Sequence, residues 1–401
     1  MSAVAKAKQV KIAKPALPKK EKNRVAIPQK TLYELWAKAG GRCEFRGCNK
    51  VLYLDELTKV RDNLALVSHI VGAEEDGPRG DAVESKRLVK DISNLMLTCR
   101  EHGKIIDTKE YEDRYTVELL CQHKKEHEDR INLLTGIQED AKTHVIIFQV
   151  PIAGMPFGIE DSLVFQAILP KYPAEKDSLR IDLSNVSVKE TKEGFWNFLS
   201  SVLCDEFHAI FKNHGKHFPH VSVFALAPIP LLVQLGSLLG DKRIVDLYQR
   251  HRTTGDWKWK DHPEELHEQF YEVRGPDQHD AEANTAIILS ISGQILRSQI
   301  TDILGANCNC YAVSALRPGL DFLSTRNKLN LFGYEFRALL ETIRRSNGHG
   351  KPIHLFCAVP APVAVECGRA LLPKSDPHII VYDYIKEAGG FQAALQINDC
   401  K

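Results

Sequence analysis

The chain has almost no net charge: 53 Lys and Arg stand against 52 Asp and Glu over 401 residues. That excludes a molecule that coats nucleic acid through overall positive charge. Cysteine is also scarce, ten in all, too few for a disulfide scaffold in a chain this long. Met1–Arg24 has no apolar core segment, so it does not read as a secretory signal. A reducing cytoplasm is expected, where clustered Cys and His bind metal more often than they pair. With 43% hydrophobic and 26% charged residues, a wholly disordered, collagen-like or coiled-coil chain is excluded. The length predicts two or three domains.

Long hydrophobic runs are nearly absent as well. Val221–Gly240 has no charged residue and is about long enough to span a bilayer. It contains Pro228 and Pro230, with a β-rich piece before them and a helical piece after. A buried strand, a proline turn and a helix are expected, with no membrane span.

The charge that exists is unevenly spread. Residues 1–24 hold eight Lys and Arg and one acid, Glu21, whereas 25–141 holds 18 Lys and Arg against 22 acids. Residues 1–24 read as a disordered basic tail able to touch phosphate non-specifically. Residues 25–141 form a small domain rich in Cys, His, Asn and Gly, ending in a helix expected over Thr116–Leu134. The rest has a different texture. Short Val- and Ile-rich runs alternate with helical stretches, as in a parallel α/β sheet.

This second part also repeats. V-S-V-F-A-L-A-P-I-P-L-L-V-Q-L-G (Val221–Gly236) lines up without gaps on I-H-L-F-C-A-V-P-A-P-V-A-V-E-C-G (Ile353–Gly368), pairing Phe224 with Phe356, Pro228 with Pro360 and Gly236 with Gly368. A weaker match sets Val145–Gly154 on Ala286–Gly293. A tandem duplication of one α/β unit follows, with lobes at about 145–280 and 283–401. Glu366 and Arg369 inside the second copy's helix argue against membrane insertion of either copy. Phe224 and Phe356 belong to the core.

The most informative stretch lies in the first domain. Cys43 and Cys48 form C-x4-C, and Cys99 and His102 form C-x2-H. Three thiolates and one imidazole make a closed tetrahedral set, expected of a structural Zn²⁺. Between the pairs stand L-V-S-H-I-V, carrying His69, then G-P-R-G-D (Gly77–Asp81) and N-L-M-L-T-C, carrying Asn94. The helix that follows carries His123 and His127, read as part of a solvated charged face.

His69, Gly77–Asp81, Asn94, Cys99, His102 and Asp107 together resemble the HNH (ββα-metal) endonucleases over roughly Arg42–Asp107. The resemblance implies a DNase acting on double-stranded DNA. His69 would be the general base, a role suited to an imidazole; Asn94 would orient His69 or its loop. One divalent ion, Mg²⁺, would stabilise the transition state. Two departures bear on that ion. Many relatives have Asp or His before the base, where this chain has Ser68, and the subgroup has a second His where this chain has Gly103. The ion's ligands therefore stay open among His102, Asp81 and Asp107.

In the second part, ligands are expected beyond the carboxyl ends of strands. No G-x-G-x-x-G or phosphate loop stands at those ends, and no Ser/His/Asp or paired-carboxylate set is readable. The run I-H-L-F-C-A-V-P-A-P-V-A-V-E-C-G-R-A-L-L-P with H-I-I-V-Y-D-Y resembles the SAVED domain, which looks like two fused CARF-like Rossmann-type units. The whole arrangement resembles the HNH–SAVED effector nucleases of CBASS, the cyclic-oligonucleotide antiphage system. The implied fold is an α+β HNH nuclease domain followed by an α/β SAVED domain. The implied activator is a cyclic di- or oligonucleotide made by a partner nucleotidyltransferase, on which a homo-oligomer would assemble. Candidate ligand residues are Ser292, Gln294, Arg297, Arg317 and Lys328 as donors, Pro360 at a strand end, and Trp257 and Trp259 as stacking surfaces. Two other readings share much of this pattern: a restriction-type HNH nuclease, and a non-catalytic zinc-containing DNA-binding regulator with a small-molecule sensor.

Overall fold

The computed structural model describes residues 25–152, 158–184, 194–213, 218–260, 269–347, 351–373 and 375–398. The basic tail lies outside these. Contacts divide the chain into two units, the first ending at Ile137 and the second beginning at Gln138.

The first unit is built on a hairpin. β1 (Ala65–His69) pairs antiparallel with β2 (Leu95–Cys99), with His69 opposite Leu95 and Ala65 opposite Cys99. Every residue of β2 is buried, and its alternation splits two small cores. Leu95, Leu97 and Cys99 pack with Leu35 of α1 (Gln29–Lys38) and with Leu52. Met96 faces the other way, onto Ile106 and Leu120. Two-residue periodicity makes one strand serve both sides. A short α2 (Glu84–Leu88) lies between the strands in sequence. α3 (Arg100–Ile106) follows β2 directly, which completes a ββα order.

α4 (Val117–Thr135) starts at Thr116, whose hydroxyl accepts from the Leu119 N–H. It corrects one expectation. His123 and His127 are each only 6% exposed and do not lie on a solvated face. Leu120, His123, Lys124 and His127 share one stripe at three- and four-residue spacing, and that stripe is the face turned inward. His127 Nε2 donates to the Ala39 carbonyl at 2.9 Å, and His123 sets its ring edge-on to Phe45 at 5.2 Å.

The second unit holds two sheets of the same design. In the first, β3 (Lys142–Gln149) lies between β5 (Leu179–Asp182) and β6 (His220–Leu226), with β7 (Ile244–Tyr248) beyond β6 and the short β4 (Tyr172–Pro173) at the start of β3; all pairs are parallel. In the second, β9 (Asn284–Ser290) lies between β10 (Cys308–Ala315) and β11 (Ile353–Ala358), with β12 (Ile379–Ile385) beyond β11, again parallel. Antiparallel β8 (Tyr271–Arg274) and β13 (Gly390–Ile397) close its edges. The registers agree to the residue. Ile147 pairs with Phe224 and Phe224 with Tyr248; Ile288 pairs with Phe356 and Phe356 with Tyr382. Both sequence matches are therefore structural equivalences. One boundary moves: β8 falls within the span expected for the first lobe but pairs with β10, so the second lobe begins before it.

Val221–Gly240 forms β6, a proline turn and α7 (Ile229–Leu239). Among the described residues no helix is long and apolar enough to cross a membrane. Its counterpart is α10 (Ala361–Arg369). The two helices cross at reciprocal glycines: a Cβ on Gly236 would lie 1.9 Å from the Val365 oxygen, and one on Gly368 would lie 1.9 Å from the Val233 oxygen. This crossing joins the lobes through one shared core, which also takes in residues of α6 (Phe195–Asn213) and α9 (Arg326–Asn347). Each sheet buries its other face separately, the first with α5 (Asp161–Ala167) and the second with α8 (Arg297–Leu304). Phe224 and Phe356 are fully buried on those outer faces, as expected.

Candidate functional sites

The first site is built on the end of β1. His69 is half-buried, and its Nε2 donates to the Val89 carbonyl at 3.0 Å. That bond fixes the tautomer and leaves Nδ1 as the proton acceptor. Asn94 is 3% exposed and ties down the chain just after His69. Its Oδ1 accepts from the Val71 N–H at 2.6 Å, and its Nδ2 donates to the Val71 carbonyl at 3.0 Å. Asn94 thus holds the loop that carries His69, one of the two roles expected of it.

Sequence reasoning missed the strongest fastener here. Arg79, inside G-P-R-G-D, is 7% exposed. Its guanidinium donates to the Ile70 carbonyl at 2.7 Å, to the His69 carbonyl at 3.2 Å and to the Ile106 carbonyl. One planar fork therefore fastens the end of β1 to the end of α3. Gly80 is required beside it, since a Cβ there would lie 2.3 Å from the Glu74 oxygen. Asp107 stands 3.8 Å from the Arg79 guanidinium. Asp81 accepts from the Val83 and Glu84 N–H groups, both at 2.8 Å, and so caps α2.

Cys43, Cys48, Cys99 and His102 converge, with all four ligand atoms within 4.8 Å of one another. Cys99 Sγ lies 3.1 Å from His102 Nδ1 and Cys43 Sγ lies 3.9 Å from it. The His102 ring stacks on Phe45 at 4.1 Å, which fixes its direction. Burial pushes the Cys43 thiol up to about 12; a divalent cation would reverse this by stabilising the thiolate. Three sulfurs and one imidazole nitrogen at this spacing fit a tetrahedral zinc ion.

A catalytic Mg²⁺ fares differently. Among the described residues no second group of three or more Cys, His, Asp or Glu side chains converges. Ser68 Oγ is buried against Thr98 Oγ1 at 2.9 Å. A Cβ on Gly103 would meet those two oxygens at 3.0 and 2.8 Å. The two positions where relatives carry ligands are therefore neighbours in space, and both are filled by a hydroxyl pair. These residues do not fit the ion.

The second site is a cavity of about 690 Å³ at the carboxyl ends of the strands of both lobes, within the range of small-ligand sites. Its floor repeats across the two lobes: Ala227, Pro228 and Ile229 from one, Val359, Pro360 and Ala361 from the other. These residues open α7 and α10, so two helix N-termini meet the cavity, an arrangement that favours anions. Arg250 and Arg252 add positive charge on one wall, and Asp383 and Tyr384 stand on the other. His251, 7% exposed, presents a buried Nε2 with no hydrogen-bond partner among the described residues. Burial and the nearby Lys260 hold this imidazole below its usual pKa.

Of the expected ligand residues, Ser292 and Pro360 line this cavity. Gln294, Arg297, Arg317 and Lys328 do not. Lys328 donates to Ser324 Oγ at 3.2 Å and stands over the Phe270 ring at 5.0 Å. Arg297 bonds the Cys310 thiol. The two tryptophans are corrected: Trp257 is 2% exposed with its ring edge-on to Phe224 at 5.2 Å, and Trp259 Nε1 donates to the Leu247 carbonyl at 3.2 Å. The loop after β7 folds back over its sheet, so Trp257 offers no stacking surface and Trp259, half-buried, packs against the core of the lobe. Gln249–Arg252 was missed. Carrying the repeat one strand further, from Tyr382 onto Tyr248, would have marked it.

Residues 203–397 match the family model for the SMODS-associated and fused to various effectors sensor domain, SAVED. No curated protein matches the chain. Among solved structures, the chain is similar to the Acinetobacter baumannii Cap4 SAVED/CARF-domain containing receptor with the cyclic trinucleotide 3'3'3'-cAAA, at 13% identity and TM-score 0.43 over 73% of this chain and 62% of that one. The same receptor with 2'3'3'-cAAA gives 16% and 0.43, over 78% and 66%. The Moraxella osloensis Cap4 receptor gives 13% and 0.40, over 74% and 60%. The chain thus spans under two thirds of the length of these structures. By the family match, residues 203–397 are a SAVED domain.

Proposed function

We propose that this chain is a DNA endonuclease of bacterial CBASS antiphage defence, switched on by a cyclic nucleotide bound in the cavity of its SAVED domain. The observation that carries the nuclease half is His69: its Nε2 is committed to the Val89 carbonyl, which leaves Nδ1 to take a proton. Nδ1 accepts a proton from water as the water oxygen bonds to a phosphodiester phosphorus. One P–O ester bond breaks, and its oxygen leaves as an alcohol after protonation from solvent. The zinc ion staples the unit that presents His69. Two phosphate-attracting helix starts and the cationic wall support an anionic ligand in the cavity. Bridging lobes of neighbouring chains would let one small ligand drive assembly and bring nuclease units together for two-strand cutting.

A second reading is favoured by the Ser68–Thr98–Gly103 packing: a zinc-stapled unit that binds DNA and does not cut it. One experiment separates the two. Purified protein is incubated with plasmid and Mg²⁺, with and without a panel of cyclic di- and trinucleotides, and its mass is followed by light scattering. Ligand-dependent cutting that falls below about one hundredth in His69→Ala supports the nuclease. DNA binding with no cutting under any ligand supports the second reading. Cutting at constant mass would exclude assembly as the gate.

A further inference from the structure

The second unit carries a pair of thiols that the ligand cavity does not use. Cys308 and Cys310 open β10 at its amino end, whereas the cavity lies at the carboxyl ends of the strands. Two-residue periodicity puts both sulfurs on one face of the strand. That face is the outer one, where the two cysteines pack with Ile295 and with Ile300 of α8. β8 pairs only with residues 312–315 of β10, so at the cysteines β9 is the one strand neighbour among the described residues. Cys308 is buried, and Cys310 keeps part of its surface open to solvent.

Cys310 has a second polar neighbour from a different element. Arg297, the exposed first residue of α8, bonds the Cys310 sulfur, and Cys308 bonds the same sulfur from its own strand. No carboxylate pairs with Arg297 among the described residues, so the anion its charge can favour is the Cys310 thiolate. Cys310 is accordingly held down at about 7, by the Cys308 thiol first and by Arg297 after it, against the opposing effect of burial. The same hydrogen bond and burial push Cys308 up, which makes it the protonated member of the pair. Cys121 on α4 is the contrast. It is exposed, yet partial burial and Glu118 push its thiol up.

We propose that Cys310 is a reactive thiolate, a site of reversible oxidation by peroxides, with Cys308 as the thiol that resolves it. The Cys310 thiolate attacks one peroxide oxygen. The O–O bond breaks, the sulfur is oxidised to a sulfenic acid, and the departing hydroxide takes a proton and leaves as water. Cys308 then gives up its proton and attacks the Cys310 sulfur. The S–O bond breaks, hydroxide leaves with that proton as water, and an S–S bond forms. Residues two apart on a strand have Cα atoms about 6.6 Å apart, inside the upper limit of about 6.8 Å for a disulfide. A dithiol reductant returns both thiols. The site is independent of the cyclic-nucleotide reading above.

The test is alkylation of the full chain, as purified, with iodoacetamide, each cysteine being followed by peptide mass spectrometry. Cys310 should react about tenfold faster than the more exposed Cys121 at about pH 6.5, because its thiolate fraction outweighs its lower intrinsic nucleophilicity. Its rate should be half-maximal at about pH 7. Arg297→Ala should move that midpoint to about pH 8 or above, and Arg297→Lys should move it less. Hydrogen peroxide should join Cys308 to Cys310 in wild type, and dithiothreitol should reverse the bond. In Cys308→Ser, peroxide should leave a sulfenic acid at Cys310 that dimedone traps. Thermal melts confirm that each variant is folded. Faster alkylation of Cys121, a Cys310 midpoint unmoved by Arg297→Ala, or a Cys310 that peroxide leaves reduced overturns the proposal. A sulfenic acid that persists in wild type without a disulfide overturns the resolving role of Cys308.

Discussion

Replacing Gly236 by alanine should destabilise the second unit, against the usual sign of that change inside a helix. Alanine is the better helix former by about 1 kcal/mol, so local propensity alone predicts a gain. The crossing of α7 and α10 predicts the opposite. The new Cβ would lie 1.9 Å from the Val365 oxygen and 2.9 Å from the Arg369 nitrogen, both backbone atoms. No side chain can swing aside, so the helices must separate by roughly 1.5 Å to restore ordinary contact near 3.4 Å. Overpacking of this kind costs about 1–3 kcal/mol, and a clash with rigid backbone belongs at the upper end. For a unit of this size that lowers the melting temperature by roughly 6–12 °C.

The reciprocal change, Gly368→Ala, meets the Val233 oxygen at the same 1.9 Å and should cost as much. The double variant should cost clearly less than the two together, because the first alanine already opens the space that the second needs. Gly319→Ala is the control: nothing lies within 4 Å of its Cβ position, so it should change stability by less than about 0.5 kcal/mol. Differential scanning calorimetry of the four proteins reads the cycle. Melting of Gly236→Ala within 2 °C of wild type, or strictly additive costs, would refute the account of the lobe joint.

Four further outcomes are expected. Elemental analysis should find about one Zn²⁺ per chain, and Cys99→Ser should lose it with cooperative melting of the first unit, while the second unit's transition stays put. Arg79→Lys should lower DNA cleavage at least tenfold while zinc content is unchanged, because an ammonium cannot hold the three carbonyls that the guanidinium fork spans; full activity would show that the fastening is dispensable. Trp257→Ala should cost about 3–5 kcal/mol in stability and leave ligand affinity in the folded protein within threefold, since the ring lies in the core. Burial pushes Asp246 up, but His220, Lys171 and Arg326 outweigh it and hold the carboxyl well below its ordinary range. Its folded value is thus depressed, so its stabilisation is present above the ordinary carboxyl value and fades as pH falls below about 4; Asp246→Asn should flatten that acid limb in urea titrations.

Much of the architecture was legible because it rests on local patterns. The Val- and Ile-rich runs became strands, and the two sequence matches became identical registers around Phe224 and Phe356. The convergence of Cys43, Cys48, Cys99 and His102 was legible from spacing, since Cys99 and His102 stand at a helix start and the C-x4-C pair forms a knuckle. What escaped depends on packing between distant segments. His123 and His127 sit among charged neighbours, and only the crowding of Phe45 and the Ala39 carbonyl shows which stripe of α4 turns inward. Arg79 looks like one more loop cation until its fork is seen to span two strand-end carbonyls and a helix end. Trp257 alternates with lysines like a stacking surface, but the loop's return path places it under Phe224.

The two departures from the nuclease pattern, Ser68 and Gly103, are far apart in sequence and adjoin in the fold. A histidine at 103 needs a Cβ, and that atom would lie 2.8 Å from Thr98 Oγ1 and 3.0 Å from Ser68 Oγ. Those oxygens bond each other out of water at 2.9 Å, and Thr98 Oγ1 also donates to the Leu66 carbonyl at 3.4 Å, so Ser68 does not move away without losing its hydroxyl partner. Glycine at 103 and the hydroxyl pair are thus conditions of one another. A side chain at 103 alone would therefore clash with both hydroxyls. Arg79 and Asn94, by contrast, still hold the His69 loop at both of its ends. The unit therefore keeps the residues that fasten the His69 loop, while the two positions where the nuclease pattern has further ligands are a buried serine and a glycine packed against one hydroxyl pair.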